Sequence, residues 1–190
     1  MTAHRIELTL LIASTRPQRV GPVIADWVRN QVPTDLFAIT VVDLAEVGLP
    51  LLDEPEPAAT GIYQHEHTRH WADLVRAAQA LVIVTPEYNA GYPAGLKNAI
   101  DYLYAEWEGR PVALVGYGWR GAASSREQLA TVFSRVKARL VGGVGVRFAD
   151  HLDGPPSPTA AVQADDQLTR ETAALFAALA ATAGTVPDTP

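Results

Sequence analysis

The sequence contains no cysteine, which excludes thiol catalysis, disulfides and cysteine-ligated metals and says nothing about redox compartment. Lysine is nearly absent too. Of 15 basic residues only Lys97 and Lys137 are lysines, so positive charge sits on planar guanidiniums suited to gripping phosphates at two points, although composition bias accounts for the same count. No apolar stretch reaches the roughly 18 residues of a membrane span. The N-terminus MTAHRIELTLLIASTRP moves directly into a core-like strand rather than a cleavable leader, so a cytoplasmic protein without membrane association is expected. The 21 acidic residues give a net charge of -6, which argues against a broad basic surface for nucleic acid. There is no Walker loop and no G-x-S-x-G elbow. His65, His67 and His70 have no second cluster to complete a zinc site, and they read as surface histidines with no metal expected.

What the sequence does contain is a repeating alternation of short apolar runs and helical patterns. The runs Ile6–Ala13, Phe37–Val42, Ala80–Thr85, Val112–Val115 and Val144–Phe148 are nearly continuous, as strands covered on both faces are, and the segments between them are long enough for right-handed parallel crossovers. Five strands in a doubly wound parallel α/β sheet with helices on both faces follow. Helices are expected from Gly21–Pro22, over Glu66–Ala78, Ala94–Ala105 and Ser124–Leu140, and finally over Ala160–Ala183. One domain over residues 1–183 with a frayed tail at 184–190 accounts for the chain. The long proline-bearing connection from Asp43 to Tyr63 is expected to border a site.

In such sheets ligands bind beyond the carboxyl ends of the strands. The loop after the first strand, ASTRPQRVG, places Ser14, Thr15, Arg16 and Arg19 before a helix N-terminus. That suits a phosphate, with a solvated turn capped by Ser14 and Thr15 as the alternative. After the third strand, TPEYNAGYPAGLKNAID is stiff and aromatic; it can present backbone groups to a flat heterocycle, or merely cover the sheet end. Lys97 and Asp101, four apart, are placed to pair on the surface of the following helix. After the fourth strand, VGYGWRG spells G-x-G-x-x-G with Gly116, Gly118 and Gly121. A dinucleotide fingerprint belongs on the first strand-to-helix turn with an acid about 20 residues onward, and neither condition holds here. These glycines therefore read as letting backbone run close to a flat ring, with Trp119 and Arg120 beside it.

The segments LLIASTRPQRVGPVIADWV and VIVTPEYNAGYPAGLKNAIDYLYAEWEGRPVALVGYG resemble the NADPH-dependent FMN reductases of flavodoxin-like fold, most specifically in PEYNAGYPAGLKNAIDYL. The resemblance implies FMN as cofactor, NADPH or NADH as donor, and a flavin, quinone or similar small molecule as acceptor. It implies that Ser14, Arg16, Arg19, Val20 and Gly21 hold the FMN phosphate, that Pro86, Glu87, Tyr88 and Asn89 line the isoalloxazine, and that Tyr117 and Gly118 lie across the ring. Chemistry would occur at the flavin N5, with no catalytic side chain required. The helix at Leu96–Leu103 matches one that packs against a partner subunit, implying a homodimer or dimer of dimers. Trp119 and Arg120 depart from the family pattern and would shape the substrate pocket. The alternative is a flavodoxin-like electron carrier that oxidises no nicotinamide.

Overall fold

A computed structural model describes residues 5–184; the tail expected at 184–190 lies, from 185 onward, outside the described residues. Five strands, β1 (Ile6–Ile12), β2 (Phe37–Asp43), β3 (Ala80–Pro86), β4 (Pro111–Gly118) and β5 (Arg139–Arg147), form one parallel sheet in the order β2-β1-β3-β4-β5. The helices are α1 (Gly21–Gln31), α2 (Leu44–Val47), α3 (Glu66–Ala77), α4 (Ala94–Asp101), α5 (Ala123–Arg135), α6 (Phe148–His151) and α7 (Asp166–Ala183).

Side chains alternate across the strands, and each parity finds its own core. Leu10, Val82, Val84 and Val115 meet Ile24 and Val28 of α1 and Phe176 and Leu179 of α7, whereas Leu11, Leu81, Ile83 and Leu114 meet Trp71, Leu96, Ile100, Leu129 and Phe133 of α3, α4 and α5. Burial on both faces is why these strands read as continuous apolar runs rather than alternating ones. Two indoles also finish α4: Trp71 donates to the Ala99 carbonyl at 2.8 Å and Trp107 to the Ile100 carbonyl at 3.1 Å. Those carbonyls belong to the last turn, which has no intrahelical donors to offer. The helix thus ends at Asp101 rather than Ala105.

Four further boundaries differ by several residues from the sequence expectation. β4 continues through Gly118 because Tyr117 and Gly118 pair with Pro86 of β3 and Arg147 of β5; two glycines made this stretch read as a loop. The helix expected to reach Leu140 stops at Arg135, where Lys137 takes a positive φ of 58° and the Ala138 N–H returns to the Phe133 carbonyl at 2.9 Å. The chain then enters β5 at Arg139, earlier than Val144. The last helix starts at Asp166, not Ala160, because the Asp165 carboxylate accepts from the Leu168 N–H at 2.7 Å and caps it.

The connection after β2 packs along α4 and does not line the main cleft. Asn98 accepts from the Leu52 N–H at 2.9 Å and donates to the Pro50 carbonyl at 2.7 Å, and the Tyr102 hydroxyl donates to Asp53 at 2.9 Å. His67 reaches the same Asp53 carboxylate at 3.0 Å and stacks on His65. Among the described residues no group of three potential ligands could hold a metal ion, and no helix is long and apolar enough to cross a membrane. Lys97 and Asp101 pair at 2.5 Å.

Candidate active site

The carboxyl ends of β1, β3 and β4 surround a cleft of about 460 Å³, where the strand order reverses and parallel sheets of this kind bind ligands. Arg16, Gln18, Arg19 and Val20 line one end; Pro86, Glu87, Tyr88, Tyr117, Gly118, Trp119, Arg120, Phe148 and Pro156 line the rest.

The arginine end is built around the start of α1. Pro22 occupies its first turn and Val20 offers no side-chain cap, so the amino end keeps backbone donors and a partial positive charge facing the cleft. Arg19 is anchored: its guanidinium donates to the Asp43 carboxylate at the end of β2, and its Nε is buried without a partner among the described residues. Arg16 is exposed, its guanidinium carbon 5.8 Å from the centre of the Tyr88 ring. Ser14 is buried beneath the cleft and shares a 2.5 Å hydrogen bond with the Tyr88 hydroxyl. A side chain at Gly21 would place its Cβ 2.8 Å from the Tyr117 hydroxyl and 3.2 Å from Ile12, so only glycine lets the first residue of α1 approach that phenol.

Tyr117, which lines the cleft, stands beside that helix start. Its hydroxyl lies against the amino end of α1, buried beside Ser14 and without a well-formed hydrogen bond among the described residues. Burial, reinforced by neighbouring Tyr88, pushes its pKa above the ordinary tyrosine value, so it remains a neutral phenol able to donate. A buried hydroxyl and a buried guanidinium nitrogen, both unpartnered on residues that line one cleft, fit an anion that supplies their acceptors. We expect Tyr117→Phe to leave the melting temperature of the cofactor-free protein unchanged or slightly raised, because an unpaired buried hydroxyl carries a desolvation cost. The same variant should bind FMN about 3- to 10-fold more weakly, the worth of one neutral hydrogen bond, as read by titration of flavin fluorescence.

At the other end the walls come from three strands. Asn89 and Ala90 take positive φ angles of 50° and 63° in a tight turn closed by paired bonds between Tyr88 and Gly91, the arrangement of a two-residue hairpin connection. Asn89 sits exposed at its tip, one residue beyond those lining the cleft. Glu87 lines the cleft, and its carboxylate accepts from the Ser124 N–H at 2.9 Å. Since α5 has no side-chain cap of its own, Glu87 caps it from the neighbouring loop and ties the two walls together. Trp119 is 70% exposed, its indole edge-on to Phe148 at 5.6 Å, and Phe148 in turn packs on Tyr117 at 6.2 Å. Phe148 and Pro156 were not foreseen. Phe148 follows the last strand, so the rule of strand carboxyl ends reaches it; Pro156 carries no sequence signal.

Gly116 and Gly121 are packing residues and do not border the cleft. A Cβ on Gly116 would meet the Gly121 carbonyl at 2.6 Å, and one on Gly121 would meet Gly145 of β5 at 2.9 Å. Of the G-x-G-x-x-G set only Gly118 lines the cleft.

Both the sequence and the fold have known relatives. The chain is 38% identical over 155 residues to an NAD(P)H-dependent FMN reductase of Saccharomyces cerevisiae, covering 75% of this chain and 81% of that one. It is 31% identical over 113 residues to a quinone reductase of Pseudomonas putida, covering 57% and 58%. Its fold superposes with a TM-score of 0.66 on a flavoenzyme NAD(P)H:acceptor oxidoreductase of Paracoccus denitrificans, 19% identical, over 94% of this chain and 97% of that one. The model of the NADPH-dependent FMN reductase family matches residues 6–151. By that match the chain belongs to the NADPH-dependent FMN reductases, oxidoreductases of flavodoxin-like fold that use FMN and a reduced nicotinamide nucleotide.

Proposed function

We propose that this FMN reductase holds its cofactor in the 460 Å³ cleft and passes electrons from NAD(P)H to quinone-type acceptors, working in the cytoplasm as a homodimer. The observation that carries the assignment is the polarity of the cleft. One end gathers an uncapped helix start, Arg16, Arg19 with its unpartnered Nε, and the unpartnered Tyr117 hydroxyl; the other presents Tyr88, Gly118, Trp119 and Phe148. A phosphate suits the first and a flat ring the second, which is the layout of FMN. When bound, FMN supplies two-electron chemistry between nicotinamide and acceptor.

The protein's own part is positioning. Ser14, Arg16, Arg19 and the backbone at Val20 and Gly21 hold the phosphate, with Asp43 fixing the Arg19 fork in place. Pro86 and Tyr88 on one side, and Gly118 on the other, bound the ring, with Asn89 at the tip of the turn beside them, while Glu87 keeps the two walls at a set separation through the α5 N-terminus. Trp119 and Arg120 form the rim over which donor and acceptor enter in turn. For the dimer, Leu96, Ile100 and Leu103 are buried within the chain itself. The surface offered to a partner is instead the segment laid over α4, where Leu51, Leu52 and Ile62 are 84%, 48% and 56% exposed, a concentration of apolar surface that association would cover.

Purified protein should carry FMN and catalyse the reaction NAD(P)H + H⁺ + quinone → NAD(P)⁺ + hydroquinone, followed as loss of nicotinamide absorbance. Anaerobic addition of NADPH or NADH should bleach the flavin, and benzoquinone should restore it. A flavin that neither donor bleaches would make the protein a carrier and sink the proposal.

A further inference from the structure

The cleft does not end at Trp119. Beyond it lies a second cavity of about 450 Å³, and Trp119, Phe148 and Pro156 belong to the walls of both. The two spaces differ in charge. Arg16, Arg19 and Arg120 line the first. Among the described residues the second has no cation on its wall, and its one charged lining residue is Asp153, whose carboxylate accepts from the Ala161 N–H at 2.8 Å. Leu152 and Pro155 complete a mainly apolar surface. Trp119 leaves most of its indole in water, with a single ring contact to Phe148, so a ligand lying along it gains apolar burial on both sides of the rim.

We propose that this second cavity receives the neutral alkyl substituent of a quinone acceptor whose ring occupies the cleft beside Trp119. The inference rests on the quinone-reductase reading of the cleft and adds to it what distinguishes the two substrates. A nicotinamide nucleotide carries phosphates, which find Arg120 at the rim of the first space and a carboxylate in the second. An alkylated quinone carries no charge and loses nothing by entering there. Donor and acceptor thus take turns at one cleft but part company beyond the indole.

The test uses the FMN-loaded protein and a series of alkyl-substituted benzoquinones of increasing chain length. kcat/KM should rise about fourfold per added methylene until the cavity is filled, while kcat/KM for the nicotinamide donor stays constant along the series. Ala149→Asp, at an exposed position on the cavity wall, and Leu152→Gln should each flatten the slope, judged as the ratio of long-chain to unsubstituted quinone within one variant. Binding gives a second readout independent of turnover. A redox-inert dimethoxybenzene bearing the same alkyl chain should quench tryptophan emission of the cofactor-free protein, and Trp119→Phe should abolish that quenching, since Trp71 and Trp107 are buried in the core and the half-buried Trp27 of α1 lines neither cavity. Reduction of benzoquinone with no chain-length dependence, or quenching that survives Trp119→Phe, overturns the second site and leaves the proposed function standing. Failure to reduce any quinone overturns both.

Discussion

Replacing Arg16 and Arg19 together by alanine is expected to weaken FMN binding about a thousandfold. Each guanidinium contributes charge-assisted hydrogen bonds worth roughly 1.5–3 kcal/mol, and each 1.4 kcal/mol is a factor of ten in affinity. Because both arginines would meet one phosphate, the two losses are coupled and the pair need not equal the product of the singles. The single variants should separate by a different measure. Arg16 is exposed with its guanidinium over Tyr88, so Arg16→Ala costs affinity and leaves the melting temperature alone. Arg19 is anchored to Asp43, whose side chain is only 10% exposed. Arg19→Ala strips that carboxylate of its cation while the Ala45 N–H at 3.0 Å remains, a loss of about 2 kcal/mol, or about 4–8 °C for a domain of this size. Flavin fluorescence titration and thermal melts of the cofactor-free protein read the two effects apart. Undiminished FMN affinity in the double variant would falsify the phosphate assignment.

Asp43 marks where sequence reading stops. Arg16 and Arg19 were legible because their place between a strand and a helix is local, and local patterns are what a sequence displays. The anchor of Arg19 lies 24 residues away, on a strand brought alongside β1 only by the sheet register that sets Ile12 against Asp43. Glu87 gives the same lesson: its motif was visible, but its partner is the N–H of Ser124, 37 residues on, and the need for that cap arises from Ala122, which leaves α5 uncapped. The strands were legible wherever both faces are buried, as in β3, where all seven residues are buried. They were blurred where glycine intervened. β5 is an edge strand of mixed burial, and its glycines at 142, 143 and 145 hid its start; Gly116 and Gly118 hid the end of β4. The connection after β2 looked functional by length and composition, but hydrogen bonds from Asn98 and Tyr102 lay it along α4.

Gly121→Ala is expected to cost about 3 kcal/mol of stability and to lower the melting temperature by about 6–12 °C. Two terms combine. Gly121 has φ of 62°, a left-handed conformation that costs an L side chain about 1–2 kcal/mol. Its added Cβ would also stand 2.9 Å from Gly145 Cα and 3.2 Å from the Gly145 carbonyl carbon. Those are backbone atoms of β5, which is held to β4 by parallel pairing from Pro111 to Gly118, so they cannot swing aside as a side-chain tip would. Gly116 closes the set, since its own Cβ would strike the Gly121 carbonyl at 2.6 Å. The three glycines thus let the turn into α5 rest directly on two strands, which seats Gly118 and Trp119 at the cleft. Gly109→Ala isolates the first term, for Gly109 has φ of 71° and open space where its Cβ would go. If close backbone contact is what Gly121 provides, Gly121→Ala must melt several degrees below Gly109→Ala; equal melting temperatures would reduce Gly121 to a conformational glycine and remove the packing account of the motif.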